Sequence, residues 1–108
     1  MTTDNQQITQ TILDKMGGKN RIVAMTGARD FVAIERGVQF SFSKGIAGIN
    51  KVVIRLTPAD LYDIEFWSVR KSRTTHALES TRRAPHDGIY AENLKRIFEK
   101  ATGLFLSI

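Results

Sequence analysis

Lys51-Val52-Val53-Ile54-Arg55-Leu56 and Tyr62-Asp63-Ile64-Glu65-Phe66-Trp67 both alternate polar and apolar residues, and Thr57-Pro58-Ala59-Asp60-Leu61 lies between them. A period of two marks strands, and the Thr-Pro-Ala-Asp punctuation marks a turn. Folding the two runs antiparallel with Ile54 opposite Ile64 sets every other pair. Leu56 then meets Tyr62 and Val52 meets Phe66 on one face. On the other face Arg55 meets Asp63, Val53 meets Glu65, and Lys51 meets Trp67. A slip of one residue would turn the apolar set to the wrong side, so three apolar pairs, an Arg55–Asp63 ion pair and a Lys51–Trp67 cation–π pair support a single register. One face builds the core, which leaves the other for contact with a partner.

Working toward the N-terminus, Val38, Phe40 and Phe42 alternate with Gln39, Ser41 and Ser43, and Val32 and Ile34 precede them. Pairing Ile34 with Val38 predicts a hairpin with a three-residue loop, Glu35-Arg36-Gly37, in which the glycine takes the left-handed position. Lys44-Gly45-Ile46-Ala47-Gly48-Ile49-Asn50 reads as a flexible connection into the central hairpin. Asp4 with Gln7 forms a capping-box pattern, and Ile8, Ile12, Leu13 and Met16 fall on one stripe, so a helix is expected over about residues 5–16, stopped by Gly17-Gly18. Residues 20–27 suit either a strand, from Ile22 and Val23, or a short helix capped by Asn20 and ended by Gly27. The apolar run without alternation favours the helix.

Toward the C-terminus, Thr74 to Arg82 shows a thin alternation and reads as a basic edge strand. Pro85-His86-Asp87-Gly88 is expected to break the sheet, with Asp87 capping a helix that carries Tyr90, Leu94, Ile97, Phe98 and Ala101 on one stripe. Gly103 ends it, with Leu104 folding back as in a Schellman motif. The apolar Phe105-Leu106-Ser107-Ile108 either packs on the sheet edge or forms an association surface through which the chain self-associates. The whole reads as one α+β domain over residues 1–108, a two-layer sandwich in which a meander of four to five antiparallel strands carries the N- and C-terminal helices on one face.

The chain has 108 residues, 42% hydrophobic and 25% charged, with no cysteine. That suits a single soluble domain without disulfides or thiolate metal sites, and the first residues do not resemble a secretory signal. A cytoplasmic setting is expected. Net charge is +5, and Phe66 to His86 holds Arg70, Lys71, Arg73, Arg82 and Arg83 against Glu79, so five minus one gives +4 in that window. A local excess of this kind favours an anionic partner, whether nucleic acid, an acidic protein or a phosphorylated ligand.

Catalytic signatures are weak. His76, His86, Asp87 and Glu79 fall on no ligand spacing, and surface and turn roles account for the histidines. Asp63 and Glu65 share the outer face, where ion pairing with Arg55 and Lys51 explains them as well as acid–base chemistry does. Gly17-Gly18-Lys19-Asn20 and Thr26-Gly27-Ala28-Arg29 offer amides to a phosphate but lack Walker or Rossmann spacing. No Gly-x-Ser-x-Gly elbow is present. An enzyme is not expected, nor a cofactor or metal. The most suggestive constellation is a binding face: Lys51, Arg55 and Trp67 on the sheet, with Arg70, Lys71, Arg73, Arg82 and Arg83 on its flank. Aromatics on a basic sheet face stack bases while the flank holds phosphates, and Phe31 is a second candidate aromatic. Trp beside Arg also anchors protein interfaces.

Ile12-Leu13 followed by Gly17-Gly18, Ala24-Met25-Thr26-Gly27-Ala28, Leu56-Thr57-Pro58-Ala59-Asp60, Tyr62-Asp63-Ile64-Glu65-Phe66 and Thr102-Gly103-Leu104 together span most of the chain. In this order they resemble a family of small uncharacterised proteins of phage and prophage genomes. That resemblance brings no catalytic or ligand residues. It implies a phage or mobile-element setting inside a bacterial host cell, where small proteins bind nucleic acid or bind and inhibit a host protein such as a defence effector. Arg29 and Arg36 have no assignable role at this level.

Overall fold

A computed structural model describes residues 5–43 and 48–104. The expected Asp4 cap, the Lys44–Ala47 part of the connection and the Phe105–Ile108 tail lie outside the described residues. The elements are α1 (Asn5–Lys15), α2 (Lys19–Thr26), β1 (Arg29–Ile34), β2 (Gly37–Ser41), β3 (Lys51–Leu56), β4 (Tyr62–Lys71), β5 (Leu78–Ile89), a 3-10 turn (Ala91–Asn93) and α3 (Leu94–Thr102). The strands form one antiparallel sheet of five in the order β1-β2-β3-β4-β5. Buried residues of all three helices join the strands in one apolar cluster, making a two-layer α+β sandwich.

The central hairpin has the expected register, from Lys51 opposite Trp67 through Ile54 opposite Ile64 to Leu56 opposite Tyr62. Val52, Ile54, Ile64 and Phe66 are fully buried. Phe98 of α3 sits over them, with ring centroids 5.2 Å from Phe42, 6.2 Å from Phe66 and 6.3 Å from Phe40. Offset and edge contacts of this kind add about 0.5–1.5 kcal/mol each beyond area burial, so Phe98 is the main fastener of the C-terminal helix.

The ends of α1 and α3 use different stops. After α1, Gly18 N–H donates to the Leu13 carbonyl and Gly17 N–H to that of Asp14, which is the Schellman pattern. Both glycine amides are therefore engaged within the chain rather than offered to a phosphate. After α3, Gly103 at φ 72° donates to the Glu99 carbonyl and Leu104 N–H to Thr102 Oγ1. That is the simpler left-handed cap, not the expected Schellman motif. Residues 19–26 are helical, but Gly18 occupies the cap position and Asn20 does not.

Three further expectations fail, each for a local reason. The first hairpin pairs Ala33 with Val38 and Ile34 with Gly37, so its loop is only Glu35-Arg36. Arg36, at φ 57°, takes the left-handed position assigned to Gly37. Gly37 is needed for another reason: a Cβ there would collide with the carbonyl oxygen of Ile54 on β3. This one-residue change, with a bulge between Arg29 and Val32, turns Val32 outward, where it is 46% exposed. It also sends Phe31 to the core side, stacked on Phe40 at 4.9 Å with Lys19 Nζ 5.0 Å from its ring centroid.

Second, Pro85 and Gly88 do not end the sheet. β5 runs through them to Ile89, with irregular register between Ile64 and Phe66 and between Tyr62 and Ile64 of its partner strand. An edge strand needs no donor on its outer side, and bulges absorb the extra residues, so proline is tolerated there. Asp87 consequently caps nothing. Third, Tyr90 precedes the 3-10 turn and is 62% exposed rather than lying on the helical stripe.

Arg36 also acquires a role. Its N–H donates to Asn5 Oδ1, its Nε to the Leu56 carbonyl, and its own carbonyl accepts Leu56 N–H. It ties the start of α1 and the β1–β2 turn to the end of β3.

Candidate functional site

Strand alternation decides where the candidate residues go. On β3 and β4 the face away from the helices carries Lys51, Val53 and Arg55 beside Asp63, Glu65, Trp67, Val69 and Lys71. On β5, Arg82 lies opposite Trp67, Ser80 opposite Val69 and Leu78 opposite Lys71, which places all three on that same face. Arg70 opposite Glu79, and Arg83 opposite Phe66, point to the helix side of the sheet. Arg73 lies in the connecting loop at 72–77. The cations predicted as one flank are thus divided between two faces and a tip.

On the outer face, Trp67 and Val53 line a shallow groove of about 340 Å³ together with Lys51, Arg55 and Glu65. Glu65 organises its charge: Oε1 lies 3.4 Å from Arg55 Nη1 and Oε2 lies 3.9 Å from Arg82 Nη1. The expected Arg55–Asp63 pair is replaced by this diagonal one, because Asp63 Oδ1 accepts the N–H of Gly88 and so holds a β5 bulge. Lys51 lies across from Trp67, but the cation–π contact found among the described residues is that of Lys19 with Phe31. Phe31 is partly buried and packs against the core on the helix side, so the outer face has Trp67 as its stacking ring.

Beyond this groove the sheet narrows to a two-stranded ribbon. Lys51 is the last β3 residue paired with β4. The preceding residue, Asn50, continues the ladder with its side chain: Nδ2 donates to the Val69 carbonyl at 2.8 Å and Oδ1 accepts Val69 N–H at 2.9 Å. From Arg70 onward only β5 accompanies β4. Its turn is built locally, with Ser72 N–H donating to the Ala77 carbonyl and Ser72 Oγ accepting the amides of Thr74 and Thr75. His76 in that turn has φ 60°.

Arg70, Lys71 and Arg73 surround one concavity of about 420 Å³ at the ribbon tip, with Ser72 and Glu79. Glu79 Oε2 lies 3.9 Å from Arg70 Nε, and both side chains are well exposed, so the pair contributes under about 1 kcal/mol and leaves Arg70 able to turn to another anion. On the helix side of the ribbon root, Arg70 and Arg83 line a second polar hollow of about 340 Å³ with Asn50, Ser68 and Thr81.

His76 lies in the turn before β5, and His86 lies near the far end of that strand. His86 packs edge-on against Phe66 at 6.4 Å and lines a cleft of about 520 Å³ with Arg96, Ile97 and Lys100 of α3. Among the described residues no three His, Asp or Glu side chains come together as a metal site, and no helix is long and apolar enough to cross a membrane. Asn50 is the residue of this region that sequence reasoning missed. The only signal for Asn50 was its position just before the first β3 residue.

No protein-family model matches the chain, and neither a curated protein nor a solved structure was found similar to it.

Proposed function

We propose that this chain is a non-enzymatic accessory protein of the phage or prophage type that binds nucleic acid, gripping it with the β4–β5 ribbon and stacking on Trp67. The division of the cations between two faces removes the single basic sheet face expected from the sequence. What still supports the reading is the gathering of Arg70, Lys71 and Arg73 around one concavity at the end of a ribbon that outruns the rest of the sheet. A flat single-strand platform needs its charge on one face. Arg70 and Lys71 on opposite sides of a two-stranded ribbon suit a ligand that meets it with phosphates, and two-stranded β-ribbons dock in nucleic-acid grooves. Such contacts are chiefly electrostatic and independent of sequence.

Trp67 is the only tryptophan in the chain, so its fluorescence reports directly on this face. Titration with single- and double-stranded DNA and RNA at low salt is expected to quench or shift the emission saturably. Base stacking is worth about 1–3 kcal/mol, so Trp67→Ala, followed by anisotropy of labelled nucleic acid because the variant has no tryptophan, is expected to weaken binding without abolishing it. Absence of any saturable change or binding with all four ligands would remove the proposal.

A second reading, a protein-interaction module such as a phage inhibitor of a host defence protein, is favoured by the local charge balance around Trp67. Glu65 lies between Arg55 and Arg82, and a Trp ringed by paired charges has the composition of a protein hot spot. Pull-down from bacterial lysate after nuclease treatment separates the two. A partner retained without nucleic acid supports the second reading, and one that disappears with it supports the first.

A further inference from the structure

Leu78 occupies the last rung of the ribbon, opposite Lys71, and is 75% exposed, more than any other large apolar side chain among the described residues. Single exposed leucines are ordinary on protein surfaces. This one differs in its setting: it stands on the same face as Trp67 and Val69, and its cross-strand neighbour lines the tip concavity with Arg70 and Arg73. It makes no contribution to the core, and its neighbours would hold phosphates rather than apolar groups. An apolar side chain on the outer face of a cationic ribbon, beside its turn, matches the chemistry of a wedge that enters a base step while flanking cations hold the backbone.

We propose that the ribbon lies with its Trp67 face on the minor groove of duplex DNA and that Leu78 inserts between adjacent base pairs, bending the duplex away from the protein. This rests on the nucleic-acid reading above and names its ligand: double-stranded DNA, recognised by phosphate charge and by the ease of opening a base step. With the face that carries Trp67 and Leu78 turned to the groove floor, Lys71 on that face and Arg73 in the adjoining turn flank the inserted leucine and meet phosphates beside it. Sequence preference follows deformability, with pyrimidine–purine steps favoured because they unstack at lower cost.

The test uses the full chain and a duplex of about 30 base pairs with a donor and an acceptor dye at its ends, anisotropy reporting binding and energy transfer reporting bending within about 20–90°. Saturating wild-type protein is expected to raise transfer. Leu78→Ala is expected to bind within about threefold of wild type, because the missing insertion is offset by avoided unstacking, yet to lose most of the gain in transfer. Leu78→Met is expected to restore it. Circular dichroism checks that each variant is folded, which the exposure of Leu78 favours. The proposal is overturned if bound duplex shows no change in transfer, if Leu78→Ala bends it as wild type does, or if only single strands bind, the last leaving nucleic-acid binding itself intact. It is also overturned if Leu78→Ala loses a nuclease-resistant protein partner without changing the DNA. Failure to bind any nucleic acid removes the broader reading as well.

Discussion

The side-chain amide of Asn50 supplies Val69 with both of its ladder hydrogen bonds, standing in for a strand residue that β3 does not have. The backbone of Asn50 is fully used as well, its N–H donating to the Trp67 carbonyl and its own carbonyl accepting Phe42 N–H. One residue therefore closes the sheet and forms the root from which the ribbon leaves it. Asn50→Ala is expected to destabilise the fold by about 1–2 kcal/mol, since two backbone groups of a half-buried strand lose their partners. Amide exchange at Val69 is expected to accelerate more than exchange at Ile54. Unchanged protection at Val69 would contradict this role.

Gly37 is held by steric contact rather than by its own dihedral angles. A methyl group there meets the Ile54 carbonyl oxygen and lies 3.0 Å from Arg55 Cα, all backbone atoms of a central strand. Gly37→Ala is expected to cost about 2–3 kcal/mol in chemical denaturation, because a strand and not a side chain has to move. A near-neutral change would mean that the β2–β3 pairing is looser than described.

Tyr62 is buried, and its phenol titrates above the ordinary value of 10.0, first through desolvation and second through the charge of Asp60. The folded state thus holds this proton more tightly than the unfolded state. The contribution is fully present below the unfolded value and is lost as pH rises through it toward the folded one. Thermal melts from neutral to about pH 11 are expected to fall more steeply for wild type than for Tyr62→Phe at the alkaline end. Parallel slopes would remove Tyr62 as the cause.

Glu65 holds back two cations of the outer face, Arg55 and Arg82. Glu65→Gln is expected to change stability by less than about 1 kcal/mol, as half-exposed pairs do. It is also expected to tighten nucleic-acid binding by about two- to fivefold at low salt, by freeing both guanidinium groups for phosphate. Weaker binding would mean that Glu65 orients the arginines rather than competing for them.

Much of the fold was legible because strong periodicity coincided with burial. Val52, Ile54, Ile64 and Phe66 alternate so regularly that one register satisfied every pair. The first hairpin departs from its expected register although that register alone puts Val32, Ile34 and Val38 on one face; the observed pairing of Ala33 with Val38 turns Val32 outward and Phe31 toward the core. The choice between the two registers rests on Arg36 accepting a positive φ and on a backbone approach at Gly37, neither of which leaves a periodic trace. Pro85 and Gly88 misled because bulges in β5 absorb the extra residues and leave proline on the unpaired side of the edge, which the residue types alone do not announce. The candidate basic residues were identifiable from composition, but their division between faces depends on pairing. Asn50 and Leu78 gain meaning only because the ribbon outruns β3, which no local pattern announces.

The central claim is that the ribbon cations hold a polyanion, and the salt dependence of binding tests it most directly. Fluorescence anisotropy with labelled single- and double-stranded DNA and RNA, repeated across salt concentrations, gives the slope of log Kobs against log salt. Wild type is expected to bind at low salt with a steep negative slope. The combined Arg70→Ala, Lys71→Ala and Arg73→Ala variant is expected to bind more weakly, with a slope shallower by about 2–3, close to one unit for each phosphate no longer neutralised. No binding at low salt, or equal affinity and slope in the triple variant, would contradict the account.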